Sequence, residues 1–253
     1  MSDQTRRRVL AGVGGGTAAA LLGGTPVLAG SERRQGGGGL AALQVAHMSP
    51  DAPNVDVYLG GQAVLTDVPF QTVSNFLPLA PGSYQLQVTP AGESPDQAVV
   101  DTMIDLAGRA YTAIATGEVA DQNRPFYPLV HPVQMAPLGQ DMARIRLFHL
   151  APDAPRVDVV PQGGDPLFTG LGYSQYRTAE VPAGDYTLDV QPAGGGDPVT
   201  SFDISLNAGW IYSGYVIGYV EPGNAPADVN LNLVTTVDGG TPTGMSGGGG
   251  GGS

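Results

Sequence analysis

The chain has 253 residues, a formal net charge of −12 and no cysteine. These figures exclude a disulfide framework, a thiolate metal site and a cysteine nucleophile, and they predict a protein that repels nucleic acid and anionic lipid. All 11 basic residues are arginine, and aspartate outnumbers glutamate by 18 to 5. This acidic, lysine-free composition is typical of a halophilic protein, and an ordinary acidic protein encoded by GC-rich DNA is the alternative.

Residues 1–30 are predicted to be an export signal. Three arginines at positions 6–8 precede a weakly apolar stretch rich in glycine and alanine, and small residues follow around Ala29. The paired arginines resemble a twin-arginine signal, while a Sec-type signal or a basic tail is the alternative. Because neither this stretch nor any later one is long and apolar enough to span a membrane, we expect a secreted or cell-surface protein that is not membrane-spanning.

Glycine-rich tracts flank the rest of the chain. Residues 31–41 contain the run RQGGGG and are predicted to be a flexible linker. Residues 238–253 end in GGGGGGS and are predicted to form a disordered tail, because glycine-rich chain has little apolar surface to bury. The folded part of the protein is therefore expected between these tracts.

An internal repeat dominates that part. The phrase HMSPDAPNVDVY at 47–58 recurs as HLAPDAPRVDVV at 149–160, and YQLQV at 84–88 recurs as YTLDV at 186–190, both at an offset of 102 residues. A fixed offset over so many positions indicates two copies of one domain. We predict the copies at 42–131 and 144–237, joined by an interdomain linker at 132–143 that is rich in proline and glycine.

Each copy has the pattern of a β-domain. Every second residue of YQLQV and YTLDV is apolar, which is the period of a strand with one buried face. The segment VDVYLGGQAVLT, residues 55–66, predicts a hairpin that turns at Gly60 and Gly61. No helical stripe of useful length is present. The predicted fold class is all-β, with two tandem antiparallel β-sandwich domains of the immunoglobulin-like or transthyretin-like kind.

The motifs HxxPDAPxVDV, PGSYQLQVTPAG or PAGDYTLDVQPAG, and the Gly-x-x-Tyr strand that follows them resemble the DUF4397 family. The resemblance extends over residues 43–237. It implies an exported bacterial or archaeal protein with tandem domains of unknown function, and it agrees with a β-sandwich. The family has no established catalytic residues, so the resemblance transfers none to this chain.

The repeated phrase is most simply a stiff loop between strands. Its two prolines fix φ and bias the residues before them toward extended backbone. Asp51 lies between them, where a carboxylate accepts backbone N–H groups in an Asx-type turn, and His47 is expected to hydrogen-bond Asp51 or Asp56. The second copy repeats this set as His149, Asp153 and Asp158.

A cation site is the alternative for the same residues. Asp51 with Asp56, and Asp153 with Asp158, would supply oxygens to Ca²⁺. Two carboxylates at this spacing differ from a DxDxDG loop, and the sequence does not identify the roughly 6–8 oxygens that calcium takes. We therefore expect no cofactor, with Ca²⁺ as the candidate ion if the phrase binds one.

Catalysis is not expected. A Ser-His-Asp set built on Ser49 has no counterpart in the second copy, where Ala151 stands at that position. The sequence contains no Walker loop, HExxH or G-x-S-x-G motif. A secreted hydrolase is the least favoured alternative.

Two tyrosines are candidates for stacking against a ligand such as a sugar. Tyr173 and Tyr176, in GLGYSQYR, are expected in an exposed loop. At an offset of 102 residues, Ser74 stands where the second copy has Tyr176, so this surface would belong to the second copy alone. Trp210 and Tyr212 are instead expected to serve the core.

The expected function is therefore non-catalytic interaction at the cell surface or outside the cell, in adhesion, envelope assembly or matrix contact. The expected partners are proteins or glycans of the envelope or extracellular space, and not nucleic acid. An extracellular module that binds a glycan or a divalent cation is the alternative.

Overall fold

A computed structural model describes residues 39–240, so the predicted export signal and most of the predicted tail lie outside the described residues. The regular secondary structure of the described chain is almost entirely β-strand, which confirms the all-β fold class. The first copy contains β1 (Ala41–His47), β2 (Val55–Leu59), β3 (Gln62–Val68), β4 (Thr72–Val73), β5 (Leu77–Leu79), β6 (Gly82–Pro90), β7 (Val100–Leu106), β8 (Ala110–Thr116) and β9 (Tyr127–Pro132). The second contains β10 (Met142–His149), β11 (Val157–Pro161), β12 (Phe168–Leu171), β13 (Gln175–Pro182), β14 (Gly184–Pro192), β15 (Thr200–Leu206), β16 (Trp210–Ile217) and β17 (Asn232–Gly240).

Two short 3-10 turns, at Pro95–Gln97 and Pro222–Asn224, are the helical segments of this region. Within residues 39–240, no helix has the length and apolar character needed to cross a membrane.

Each copy is a sandwich of two sheets. In the first copy, one sheet has the order β4-β1-β8-β9, with β5 also paired to β1, and the other has the order β3-β2-β6-β7. The second copy repeats the plan as β13-β10-β16-β17 and β12-β11-β14-β15. The strand pairs are antiparallel except for β1 with β8 and β10 with β16, which are parallel. We call the sheets that contain β1 and β10 the inner sheets, and the other two the outer sheets.

The predicted hairpin at 55–66 is present as β2 and β3. Gly60 and Gly61 take φ values of 58° and 78° in its turn. Two consecutive positive φ angles are readily adopted only by glycine, so this dipeptide fixes a tight connection.

An apolar core fills the space between the two sheets of each copy. Leu43, Val57 and Leu86 belong to the first of these cores, and Ile145, Val159 and Leu188 belong to the second. These residues alternate with outward-facing residues along their strands, as the sequence pattern predicts.

A third core lies between the two inner sheets. It consists of Ala46, Met48 and Ile114 from the first copy with Phe148, Leu150, Tyr215 and Ile217 from the second. The Phe148 ring stacks on Tyr215 with ring centroids 5.2 Å apart. Because the central strands of the inner sheets, β1, β8, β10 and β16, are buried on both faces, the two copies form one four-layered body with three apolar cores.

A buried arginine fastens the copies together. Arg146 is 1% exposed and forms an ion pair with Asp238 at 2.8 Å. Its guanidinium also donates to the Ser213 hydroxyl at 3.0 Å and, across the interface, to the Thr112 hydroxyl at 2.9 Å and the Pro132 carbonyl at 3.3 Å. A charge is tolerated at such burial only when its donors are bonded in this way.

The ends of the folded region differ from the predicted boundaries. Ala41, predicted to belong to the linker, starts β1 and is fully buried. Asp238, predicted to start the disordered tail, is a buried residue of β17, which continues to Gly240. Glycine content marked these tracts as flexible, but a buried partner, here Arg146, holds the last strand in place.

The segment that joins the two copies is held by side-chain bonds. The buried Arg144 donates to the carbonyl oxygens of Gln134 and Ala136, at 2.7 and 2.9 Å, and pairs with Glu180. The segment predicted as a linker is therefore anchored to the second copy.

Candidate functional site

The repeated phrase forms a loop at the end of each sandwich, and the two loops are linked. The Arg124 guanidinium, in the segment that joins β8 to β9, donates to the Pro152 carbonyl of the second phrase at 2.6 Å. The same segment is bonded to Asp51 of the first phrase through the N–H of Val119. The two phrases are thus held together at one end of the molecule.

The phrase histidines bond to the backbone of their own loops. The Nε2 atom of His47 lies 3.0 Å from the Pro53 carbonyl oxygen, and that of His149 lies 3.0 Å from the Pro155 carbonyl oxygen. The predicted bond from His47 to Asp51 or Asp56 is wrong, because the loop turns back and presents a proline carbonyl to the ring. Since a carbonyl only accepts, Nε2 carries the proton in both copies.

Burial controls the charge of these histidines. It lowers the pKa of both His47 and His149, and the hydrogen bonds to the proline carbonyls oppose that shift. Both rings are fully buried, and the remaining Nδ1 atom of each has no partner among the described residues. A ring placed in this way has no exposed nitrogen with which to act as a general base.

The first aspartate within the phrase, Asp51 or Asp153, binds a distant loop of its copy. Asp51 accepts the backbone N–H groups of Val119 and Ala120, both at 2.9 Å. Asp153 makes the equivalent bonds to residues 220 and 221, at 2.9 and 2.8 Å. The predicted Asx-type turn is therefore wrong, because the carboxylate reaches across to the loop that follows β8 or β16.

The second aspartate within the phrase, Asp56 or Asp158, links three strands of its copy. Asp56 accepts the N–H of Asp67 at 2.7 Å and the N–H of Gly92 at 2.9 Å. Asp158 repeats these bonds with residues 170 and 194, at 2.7 and 3.0 Å. Each carboxylate thus links the start of its own strand, β2 or β11, to the adjacent strand, β3 or β12. It also links its own strand to the turn after β6 or β14.

This geometry leaves little for a cation to bind. In both copies, both oxygens of each phrase aspartate accept backbone N–H groups, and the two carboxylates bind different loops. Among residues 39–240, no group of three or more histidine, aspartate or glutamate side chains is placed to hold a metal ion. The arrangement favours the loop-tying role over a Ca²⁺ site.

The candidate stacking residues are packed against protein. Tyr176 lies on β13, where its ring stacks on Phe148 at 5.1 Å and meets the His131 ring at 4.5 Å. Tyr173 has a buried hydroxyl, and burial raises its pKa to about 12. Tyr173 lies in the turn before β13, as predicted, but both side chains are only partly exposed. The predicted loop position of Tyr176 is wrong, and its ring packs against the core between the inner sheets.

Sequence reasoning missed a polar cluster between the copies. The buried Glu118 accepts the Tyr219 hydroxyl at 2.8 Å and the Arg124 guanidinium at 2.7 Å. Glu118 and Tyr219 are equivalent residues, 101 positions apart, so each touches its own counterpart. Their contact places them at the approximate two-fold axis that relates the copies. The sequence held one signal of this contact, since the two copies have different residues, Glu118 and Tyr219, at this equivalent position.

The outer sheets carry the exposed polar surface. On the second copy, hydroxyls donate across β14 and β15 from Thr187 to Asp203 and from Ser201 to Asp189, both at 2.6 Å. On the first copy, Gln85 donates to Asp101 at 2.8 Å across β6 and β7. The outer sheets thus present hydroxyl, amide and carboxylate groups on faces that no described residue covers.

The outer sheet of the first copy also borders an open groove. The groove has a volume of about 450 Å³ and is lined by Thr102, Met103, Ile104, Asp105, Tyr111, Pro128 and Val130. It lies between β7 and β9, which are the last strands of their sheets. A free strand edge beside a groove lined by both apolar and polar side chains is suited to binding an extended segment.

Comparison with known proteins adds a family. Among solved structures, the chain is similar to the TIE protein of Bacillus anthracis, with 13% identity and a TM-score of 0.22, over 77% of this chain and 34% of that one. The chain thus spans about a third of that protein, and a likeness at this level supports no argument about function. No curated protein matches the chain. Residues 41–160, which hold the first copy and the start of the second, match the model of the family described as DUF4397, a domain of unknown function.

Proposed function

We propose that the protein is a non-catalytic, exported module that binds other molecules at the cell surface or outside the cell. The observation that supports this most is the use of the repeated phrase. In both copies its imidazoles and carboxylates are bonded to backbone groups of the same molecule. The outer sheets and their free strand edges remain as the surface for partners.

The composition agrees with this proposal. A net charge of −12 without any lysine keeps a protein soluble and well hydrated in concentrated salt. The partners we propose are proteins or glycans of the cell envelope or the surrounding matrix, which such a surface meets without binding nucleic acid. The twin-arginine-type signal predicted at residues 1–30 would deliver the folded protein there.

Two alternatives receive less support. A glycan surface on Tyr173 and Tyr176 requires exposed rings, but one ring is stacked between aromatic neighbours and the other has a buried hydroxyl. A Ca²⁺ site in the phrases requires free carboxylate oxygens, which here accept backbone N–H groups.

Co-sedimentation tests the proposal. The full-length protein is mixed with the native envelope fraction at several NaCl concentrations, and bound protein is measured in the pellet. We expect saturable pelleting, unchanged in the double variant His47→Gln, His149→Gln, since a glutamine amide can also donate to the proline carbonyls. Absence of saturable pelleting at every salt concentration, or its loss in the histidine variant, would contradict the proposal.

A further inference from the structure

We propose that the groove between β7 and β9 is a docking site for an extended polypeptide segment of a partner. The segment would pair with the free edge of β7, place apolar side chains in the groove and place basic side chains beside Asp101 and Asp105. This inference rests on the proposed interaction function, because it names the partner class and the surface that binds it.

The backbone of β7 is available for pairing. It is the last strand of its sheet, and no strand within residues 39–240 pairs with its outer edge. The alternate N–H and C=O groups of that edge are therefore free to bond to an added strand. An added strand would gain main-chain hydrogen bonds from β7 and specificity from the pockets beside it.

The groove is lined by apolar and polar surface in similar proportion, and Thr102 on its wall differs from the residue of the second copy. Thr102 pairs with Leu86 and takes an inward position on β7, yet it is exposed. Its counterpart in the second copy, Phe202, pairs with the equivalent Leu188 and packs against the core. A threonine where the other copy has a phenylalanine leaves the side of the sandwich open.

The second copy shows the closed form of the same place. The corresponding space, lined by Ile204, Tyr212, Gly214 and Thr235 among others, has a volume of about 140 Å³. The space in the first copy is about 450 Å³, roughly three times larger. We therefore assign the docking site to the first copy alone.

The charges on β7 select the partner. Asp101 and Asp105 lie on its outer face on either side of Met103, which is 62% exposed. In an antiparallel pair of two β7 strands centred on Met103, Asp101 would oppose Asp105, and like charges directly opposite are destabilising. A second copy of the chain is thus disfavoured, whereas a strand with arginine or lysine at these positions is favoured.

A peptide-binding experiment tests the proposal. The probe is a fluorescein-labelled heptapeptide of alternating arginine and valine, titrated with the full-length protein at fixed NaCl and followed by fluorescence anisotropy. We expect saturable binding that the substitution Thr102→Phe weakens by about tenfold or more, because phenylalanine occupies the space that the valines need. This variant copies the residue of the second copy, and its urea unfolding midpoint serves as the check that it is folded.

Matched variants separate docking from simple charge attraction. Asp101→Asn with Asp105→Asn is expected to weaken binding, whereas Asp185→Asn with Asp203→Asn removes the same charge from the second copy and should leave binding unchanged. A peptide with proline in place of the central valine has the same charge and should bind at least tenfold more weakly, since it lacks an N–H for pairing.

Several results would overturn the proposal. These are equal binding by wild type and Thr102→Phe, equal loss in both aspartate pairs, or protection of all β7 amides from hydrogen exchange in the free protein, which would mean that the edge is already covered. If envelope pelleting persists while the probe shows one of these results, the docking site fails but the interaction function stands. Specific probe binding without any pelleting would count against the interaction function instead.

Discussion

The buried pair of Arg146 and Asp238 offers the sharpest test of how the two copies are joined. In the variant Arg146→Met the methionine fills much of the space, but Asp238 keeps only the Ser213 hydroxyl, at 2.6 Å, as a partner. Removing one member of a buried ion pair costs about 3–5 kcal/mol of unfolding free energy. At roughly 2–4 °C for each kcal/mol in a chain of this size, Tm should fall by about 6–20 °C.

The assay is calorimetry with urea unfolding, and Arg177→Met is the control. Arg177 is exposed, and its one hydrogen bond within the described residues goes to the neighbouring Tyr176 carbonyl, so the control removes the same charge without burying another. We expect the control to change stability by less than about 0.5 kcal/mol. Equal stability of the two variants would refute the reasoning, because it would mean that the guanidinium of Arg146 does not offset a buried charge.

The pH dependence gives a second, independent readout of the same variant. Burial raises the pKa of the Asp238 carboxyl, and the Arg146 guanidinium opposes that rise. A raised pKa in the folded state means that protonation favours folding, so this contribution to stability is present at low pH and is lost as pH rises through the folded pKa. Without Arg146 the pKa rises further. The stability deficit of Arg146→Met should therefore shrink as pH is lowered from neutral toward the ordinary aspartate range near about 4.

The double variant Arg146→Met, Asp238→Asn completes this test. Because it lacks the carboxyl, its stability deficit relative to wild type should shrink much less than that of Arg146→Met as pH is lowered. If Arg146→Met keeps a constant deficit over this pH range, the carboxylate is not the source of the loss.

Three further predictions concern the loops and the histidines. Asp51→Ala and Asp153→Ala should each lower the unfolding free energy by about 1.5–3 kcal/mol, measured in urea, because two charge-assisted bonds to backbone N–H groups are lost. Added CaCl₂ at constant ionic strength should leave the Tm of the wild type unchanged. A rise in Tm in the wild type but not in these variants would favour a cation site. Gly117→Ala should cost about 2–4 kcal/mol, since φ is +94° and an added Cβ would lie 2.1 Å from the Pro125 carbonyl oxygen, whereas Gly60→Ala, in open space, should cost only about 1 kcal/mol. Burial lowers the pKa of all three histidines, so their contribution to stability is present above about pH 6.5 and is lost as pH falls through the folded values; proton NMR should show each ring titrating below its ordinary range, and a normal value for all three would contradict the buried placement.

Local patterns in the sequence predicted the copies and their strands well. The hairpin at 55–66 and the alternating strands at 84–88 and 186–190 follow from a period of two residues and from turn glycines, which depend only on neighbouring positions. The repeat predicted two equivalent domains for the same reason, since a fixed offset is visible without any knowledge of contacts.

The partners of the phrase residues could not be predicted in this way. Asp51 binds backbone groups 68 and 69 positions away, and Asp56 binds one that is 36 positions away. The sequence did carry one unused signal. Gly92 recurs as Gly194 at the same offset as the phrase. Each glycine donates its N–H to the second aspartate of the phrase in its own copy. The shared offset linked glycine and aspartate before their contact was known.

The interface between the copies could not be predicted, because it is formed by residues that differ between the two copies. Arg146 stands where the first copy has Gln44, and Phe148 stands where it has Ala46. An arginine alone predicts an exposed side chain, and only the distant Asp238 makes its burial tolerable. Tyr176 was misplaced for the same reason, since the surface that covers it belongs to the other copy.

The axis between the copies explains why they had to diverge there. In an arrangement close to two-fold symmetry, residues near the axis meet their own counterparts. If both copies carried glutamate at the position of Glu118, two buried carboxylates would face each other, and one would have to take up a proton. Tyr219 removes that conflict by donating its hydroxyl to Glu118 at 2.8 Å. Each copy therefore holds one half of an unlike pair, so a chain built from two identical first copies would lose this contact while keeping every bond of the phrases.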